Sequence, residues 1–267
     1  MINNDYVKTA ISAAYTSGNE ILDAFINNTF VTQKKGENDI ETDIDNKSGE
    51  VIRNLILDKY PTHQVHLEEN ELNVENDNEF LWVIDSIAGT IHFDGGLPYF
   101  GTDIALLQNN VPILGLHYRP YFDDLYIAYL NEGAFHINKR LKIEKKLKVN
   151  TINNSTEGIV LVDSGKTVSD RTQTARIVDK LIPHFRQLDK FSDGHQAGLL
   201  GSSSVVGYIC NKNDYWDFLA QKVIVEEAGG KTSDFFGNDL NIDSNMVIYS
   251  NGILHNFIIE LLKDIKD

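Results

Sequence analysis

The sequence predicts a layered α/β or α+β protein, and three observations predict it. Helical patterns occupy residues 6–27, 48–60 and 216–228. Short apolar runs at 80–84, 159–162 and 246–250 read as buried strands. Between 102 and 135, apolar runs alternate with polar turns, the pattern of an antiparallel meander. Helices and strands alternate too irregularly for a barrel, so packed layers fit best.

The chain has 267 residues, enough for one large core or two closely joined lobes. Two lobes are expected: 1–149, α+β, with most of the candidate metal ligands, and 150–267, α/β, completing the site. Lys plus Arg total 24 against 39 Asp plus Glu, a formal net charge of -15. That sign argues against a nucleic-acid partner, whose backbone attracts basic surfaces. It suits an enzyme of divalent cations, which offset local negative charge. The basic run 139–148 has no interleaved aromatics and reads as a solvated face. One cysteine, Cys210, excludes an intrachain disulfide and sits in an apolar stretch, so it reads as core. The start is polar and acidic, without signal-peptide character. No apolar run approaches the ~20 residues of a membrane helix. A cytoplasmic protein without a membrane partner is expected.

In residues 6–27, Val7, Ala10, Ile11, Ala14, Ile21, Leu22 and Phe25 fall on one helical face. Lys34 to Asn38 is a charged turn, and Asp39, Asp43 and Asp45 follow it. A helix over 48–60, stopped by Pro61, leaves Asp45 at or just before its start. Residues 63–69 read as a strand ending in Glu68-Glu69. The polar loop 71–78 reads equally as a lid or a plain connection. In the C-terminal half, 172–181 is helical and closed by Pro183. The small, apolar stretch 197–207 suits a strand-to-helix turn. Helix 216–228 ends at Gly229-Gly230 and has Asp217 in its first turn. A last helix spans 253–262.

The chemistry centres on residues 79–90. The strand 80–84 ends in a carboxylate, Asp85, and breaks at a small-residue turn before Gly89. A carboxylate beside free turn amides can hold a metal and a phosphate together. Asp45, Glu68, Asp85 and Asp217 each fall at an element boundary, and hard cations such as Mg²⁺ prefer oxygen ligands. Thr90 could hold an attacking water that Asp45 orients or deprotonates. His63 and His66 lack a third ligand at zinc-like spacing, and His92 is read as surface or structural.

Longer motifs strengthen this reading. Trp82-Val83-Ile84-Asp85-Ser86-Ile87-Ala88-Gly89-Thr90-Ile91-His92-Phe93 resembles the W-x-x-D-P-x-D-G-T-x-x-F signature of the inositol monophosphatase-like superfamily, the Mg²⁺-dependent, lithium-sensitive phosphatases. Trp216-Asp217-Phe218-Leu219-Ala220, with Glu227-Ala228-Gly229-Gly230, resembles its second signature. Asp39 to Asp45, Glu68-Glu69, the stretch 96–101 and Gly201-Ser202 resemble further family elements in the same order. The resemblance implies a five-layer α-β-α-β-α sandwich, commonly a homodimer. It implies two or three Mg²⁺ ions, or Mn²⁺, held by Glu68, Asp85, Asp217 and the Ile87 carbonyl. Asp45 with Thr90, and Glu68 through the metal, would activate water for in-line hydrolysis of a small phosphate monoester. The Gly89 and Thr90 amides would hold phosphate, with Gly201, Ser202 and Asp217 bordering the substrate.

Ala88 is the main departure. The family has aspartate there, and a methyl cannot ligate a metal. A severe loss of activity is therefore expected. Either an aspartate was changed to trap substrate, or the chain is a natural binding or regulatory protein on this scaffold; the intact remaining ligands favour the former. Ser86 replaces a proline and leaves the turn less rigid. The acidic residue that usually meets the sugar hydroxyls before Trp216 is missing. That leaves a sugar phosphate, histidinol phosphate, a nucleotide 3′-phosphate or NADP as substrate.

Overall fold

The computed structural model describes residues 2–37, 39–69, 79–190 and 194–265. The expected loop over 71–78 lies outside them. In chain order the elements are α1 (Asp5–Asn27), β1 (Thr32–Gly36), β2 (Asp39–Thr42), α2 (Asp43–Lys59), β3 (Gln64–Leu67), β4 (Phe80–Ala88), α3 (Thr90–Asp94), β5 (Gly101–Gln108), β6 (Val111–Arg119), β7 (Asp124–Tyr129), β8 (Gly133–Asn138) and β9 (Ile143–Lys146). There follow β10 (Ile159–Asp163), α4 (Val168–Leu181), β11 (Gln187–Lys190), α5 (Gln196–Leu200), β12 (Val205–Cys210), α6 (Tyr215–Glu227), β13 (Lys231–Ser233), β14 (Val247–Ser250) and α7 (His255–Leu262).

The strands form a seven-stranded sheet, β3-β4-β5-β6-β7-β8-β9, a five-stranded sheet, β11-β10-β12-β14-β13, and the small β1-β2 hairpin. Period-two alternation decides what each sheet face meets. On β4, Trp82 and Ile84 point to α1 and α2, packing with Val7, Ala10, Ala14, Ile52 and Ile56. Leu81 and Val83 point the other way, into a cluster with Phe218, Leu219, Val223 and Ile224 of α6. That cluster also takes in Leu161, Tyr208 and Tyr249 of the five-stranded sheet. The far face of that sheet, with Val160, Val162, Ile209 and Ile248, is covered by Ile177 and Leu181 of α4 and Ile258 and Leu262 of α7. The result is helix, sheet, helix, sheet, helix, the expected five-layer sandwich.

The meander is as expected. Asn109 and Asn110 both adopt positive φ, 50° and 64°, as a two-residue hairpin turn requires. Cys210 is buried. No described helix is long and apolar enough to cross a membrane.

Three local readings change. β4 does not break at Asp85; it runs to Ala88 through a register irregularity between Asp85 and Ala88 opposite β5. Pairing with β5 outweighs the small-residue turn signal. α2 starts at Asp43, because Thr42 caps it, and Asp45 lies inside its first turn. The stretch 197–207 is a helix-to-strand connection, α5 into β12, the reverse of the expected order.

The central helix sits close on the large sheet. A Cβ built on Gly115 of β6 would lie 2.1 Å from the Ala220 carbonyl oxygen. Gly115→Ala must push α6 away, and a destabilisation of about 1–3 kcal/mol or more is expected in urea unfolding.

Candidate active site

β3 lies parallel to β4, and its chain continues one step to Glu68, whose amide donates to the Ile84 carbonyl at 3.1 Å. This puts Glu68 beside Asp85. Asp85 shares the Leu81 and Val83 face of β4, so it looks toward α6. Asp217 is in the first turn of α6. Oxygens of Glu68, Asp85 and Asp217 lie within 4.8 Å of one another.

Such crowding has a cost. Burial first, then the charges of Glu68, Asp217 and Asp103, push the Asp85 carboxyl well above its ordinary range. Asp217 is raised by burial and by Glu68, against an opposing pull from Lys166. Burial, with Glu68 and Asp45 nearby, pushes neighbouring Glu69 to about 8. Two ammonium groups offset part of this charge at Glu68: Lys35 Nζ is 3.3 Å from its Oε1 and Lys166 Nζ is 4.0 Å away. Among the described residues Asp85 gains no such partner. Its Oδ1 is buried without a hydrogen bond among the described residues, as is Glu69 Oε2. Buried orphan oxygens on acidic side chains are a fit donor set for a hard divalent cation.

Next to this cluster stands a second pair. Asp45 Oδ2 accepts hydrogen bonds from the Thr42 amide at 2.7 Å and the Thr42 hydroxyl at 2.5 Å. Its Oδ1 is left to the Thr90 hydroxyl, 3.3 Å away. That hydroxyl also lies 2.9 Å from the Ile87 carbonyl. Ser86 Oγ donates to the Asp45 carbonyl at 2.8 Å, fastening α2 to β4. Burial lifts the Asp45 carboxyl to about 6, so it can exchange a proton near neutrality. Gly89, at φ 89°, turns the chain from β4 into the single turn α3.

Ala88 ends β4 opposite Gly101 and is 8% exposed. It offers a methyl where the signature has an acid.

Gly201 and Ser202 lie at the end of α5. Gly201 caps α5, and Ser202 Oγ donates to the Gly198 carbonyl at 2.6 Å. Both precede β12, and Asp217 follows it in the first turn of α6.

The histidine readings fit packing. His63 stacks on Phe80 and accepts from Trp82 Nε1 at 3.0 Å. His66 stacks on Trp216. His92 is half-buried against Tyr99. Sequence reasoning missed Lys35, Lys166 and Asp103. An acid inside the apolar strand 101–107 was a readable signal for Asp103; a lysine among surface lysines gave none.

Comparison with known proteins bears on the whole chain. The family model described as the inositol monophosphatase family matches residues 3–267. The chain is 29% identical over 238 residues to a Thermotoga maritima protein named fructose-1,6-bisphosphatase/inositol-1-monophosphatase, covering 89% of this chain and 88% of that one. It is 30% identical over 251 residues to the Nus factor SuhB of Pasteurella multocida, covering 92% and 91%. Among solved structures, a Thermotoga maritima IMPase superposes with a TM-score of 0.87 at 25% identity, over 98% of both chains. Sequence and layered architecture thus agree over nearly the full length, and the chain belongs to the inositol monophosphatase family.

Proposed function

We propose that the chain is a Mg²⁺-dependent phosphomonoesterase of a small metabolite, with turnover impaired at Ala88. The observation behind this is the meeting of Glu68, Asp85 and Asp217 within 4.8 Å beside the Asp45–Thr90 pair. Glu68, Asp85, Asp217 and the Ile87 carbonyl would hold the cations. Bound there, Mg²⁺ would polarise phosphoryl oxygens and lower the pKa of water. The protein's own groups do the rest. Thr90 Oγ1 and Asp45 Oδ1 orient the attacking water, and Asp45 takes its proton. The Gly89 and Thr90 amides, at the start of α3, face the phosphoryl group. Without a carboxylate at 88, the leaving alkoxide lacks part of its stabilisation.

A sugar phosphate is the favoured substrate class, supported by the name of the Thermotoga relative. Histidinol phosphate, a nucleotide 3′-phosphate and NADP belong in the same panel. A homodimer in the cytoplasm, inhibited by Li⁺, completes the reading. The second reading, a regulatory protein without turnover, is favoured by the methyl at 88 and by relatives named Nus factors.

Phosphate release with Mg²⁺ from such a panel tests the two. Ala88→Asp is expected to raise the rate about 10²-fold or more. A variant that stays silent on every ester favours the regulatory reading. In the Ala88→Asp background, Asp45→Asn is expected to cut the rate about 10²–10⁴-fold with little change in KM.

The acids also set a pH dependence. In the metal-free fold Asp45 is raised from 3.8 to about 6 and Glu69 from 4.5 to about 8. Between about pH 4 and 8 the folded chain therefore binds more protons than the unfolded chain. Stability is full below this window and declines as pH rises through it. Thermal unfolding in chelator is expected to give a lower Tm at pH 8 than at pH 5. Added Mg²⁺ should raise Tm more at pH 8, where it replaces the lost protons.

A further inference from the structure

One rung of the seven-stranded sheet is polar from strand to strand. Asp85 stands opposite Asp103, Asp103 opposite His117, His117 opposite Tyr126, and Tyr126 opposite His136. They lie on the face shared with Val83, Ala105 and Ala128, which packs under α6. Residues directly opposite in a sheet hold their Cβ atoms about 4.5–5.5 Å apart. Asp103 is therefore a carboxylate next to the candidate ligand Asp85, yet outside the Glu68–Asp85–Asp217 cluster.

Asp103 is fully buried. Its Oδ1 accepts a hydrogen bond from Gln221 Nε2 at 2.7 Å and lies 3.2 Å from His117 Nδ1. Gln221 is one turn beyond Asp217 on α6, and its Oε1 accepts from the Ala197 amide at 3.2 Å. Space for the pair depends on two glycines. A Cβ on Gly101 would lie 2.4 Å from His117 Cε1, and one on Gly194 would lie 2.7 Å from Asp103 Oδ2. Gly101 is the residue opposite Ala88. A buried acid facing another acid is costly unless a cation serves both. This one stands two residues along β5 from the partner of the residue that lacks its carboxylate.

We propose that Asp103, oriented by His117 and Gln221, supplies the negative charge that position 88 lacks and so maintains the divalent-cation affinity of the Glu68–Asp85–Asp217 centre. The inference rests on the metal-dependent reading above. Asp103 acts through Asp85 as a positioning residue.

The test is Mn²⁺ binding to the full chain by isothermal titration, independent of turnover. Asp103→Asn keeps the shape and removes the charge, and is expected to weaken Mn²⁺ about 10–100-fold. Adding Ala88→Asp to that variant is expected to recover most of the loss. Circular dichroism and Tm in chelator should stay at the unmodified level or rise, since a repulsion has been removed. If Asp103→Asn does not fold, Asp103→Val, which suits a buried strand, is titrated in its place with the same expectation. Unmodified protein that binds Mn²⁺ no more tightly than its Asp103→Asn variant would overturn the inference alone. Unmodified protein that binds no Mn²⁺ would overturn the metal-dependent reading, and this inference with it.

Discussion

Mutual repulsion among buried carboxylates is the constraint on which the site depends. Glu68, Asp85 and Asp217 come from three elements, and no element gains by bringing its acid to the others. Apolar packing forces them together. Trp82 and Ile84 fix β4 against α1 and α2, while Phe218, Leu219 and Val223 press α6 onto the opposite face. Burying several side chains of this kind outweighs the electrostatic cost at about 1.5–3 kcal/mol each. The repulsion then stays stored in the metal-free fold, as raised carboxyl pKa values and an orphaned Asp85 Oδ1. Protons or a divalent cation relieve it.

Helix capping aims two of the acids. Asp45 and Asp217 occupy equivalent positions, three residues after the caps Thr42 and Asp214. In each, Oδ2 accepts the backbone amide of its cap, at 2.7 Å for Thr42 and 3.0 Å for Asp214. A capping box satisfies an otherwise unpaired amide. It also fixes a carboxylate with one oxygen engaged and the other free to face outward. For Asp45 the other oxygen meets Thr90; for Asp217 the side chain joins the three-acid cluster. The same local hydrogen bond starts the helix and orients the chemistry.

This explains what could be read from the sequence. The layers were legible because periodicity reports burial directly, as in α1, β4 and α6. The acids Glu68, Asp85 and Asp217 were legible because long motifs keep their spacing. Asp45 was legible too, although its helix begins earlier than the pattern of 48–60 suggested, since Thr42 caps at a distance that hydrophobic periodicity does not report. The run 197–207 was misread because small residues fit a turn, a short helix and a strand alike; only pairing of β12 with β10 and β14 decides. Asp103, Lys35 and Lys166 were not singled out, because their importance lies in neighbours across strands and far along the chain. Nothing within a few residues of each reveals the partner.

Lys35 and Lys166 sharpen the question of what the cluster needs. They reach Glu68 from β1 and from the loop after β10, and Lys166 also pairs with Asp39 at 3.0 Å. Both are raised by the acids around them, so each stays cationic. Yet Glu68, like Asp217, is only half-buried, within reach of a long side chain that lays its stem along the protein surface. Asp85 is only 2% exposed, and its orphan oxygen lies deeper than either ammonium contact. Neither lysine forms an ion pair with Asp85 among the described residues. The three acids together could hold a divalent cation. The two lysines therefore trim the charge at the entrance and leave the inner oxygen as the reason for a metal.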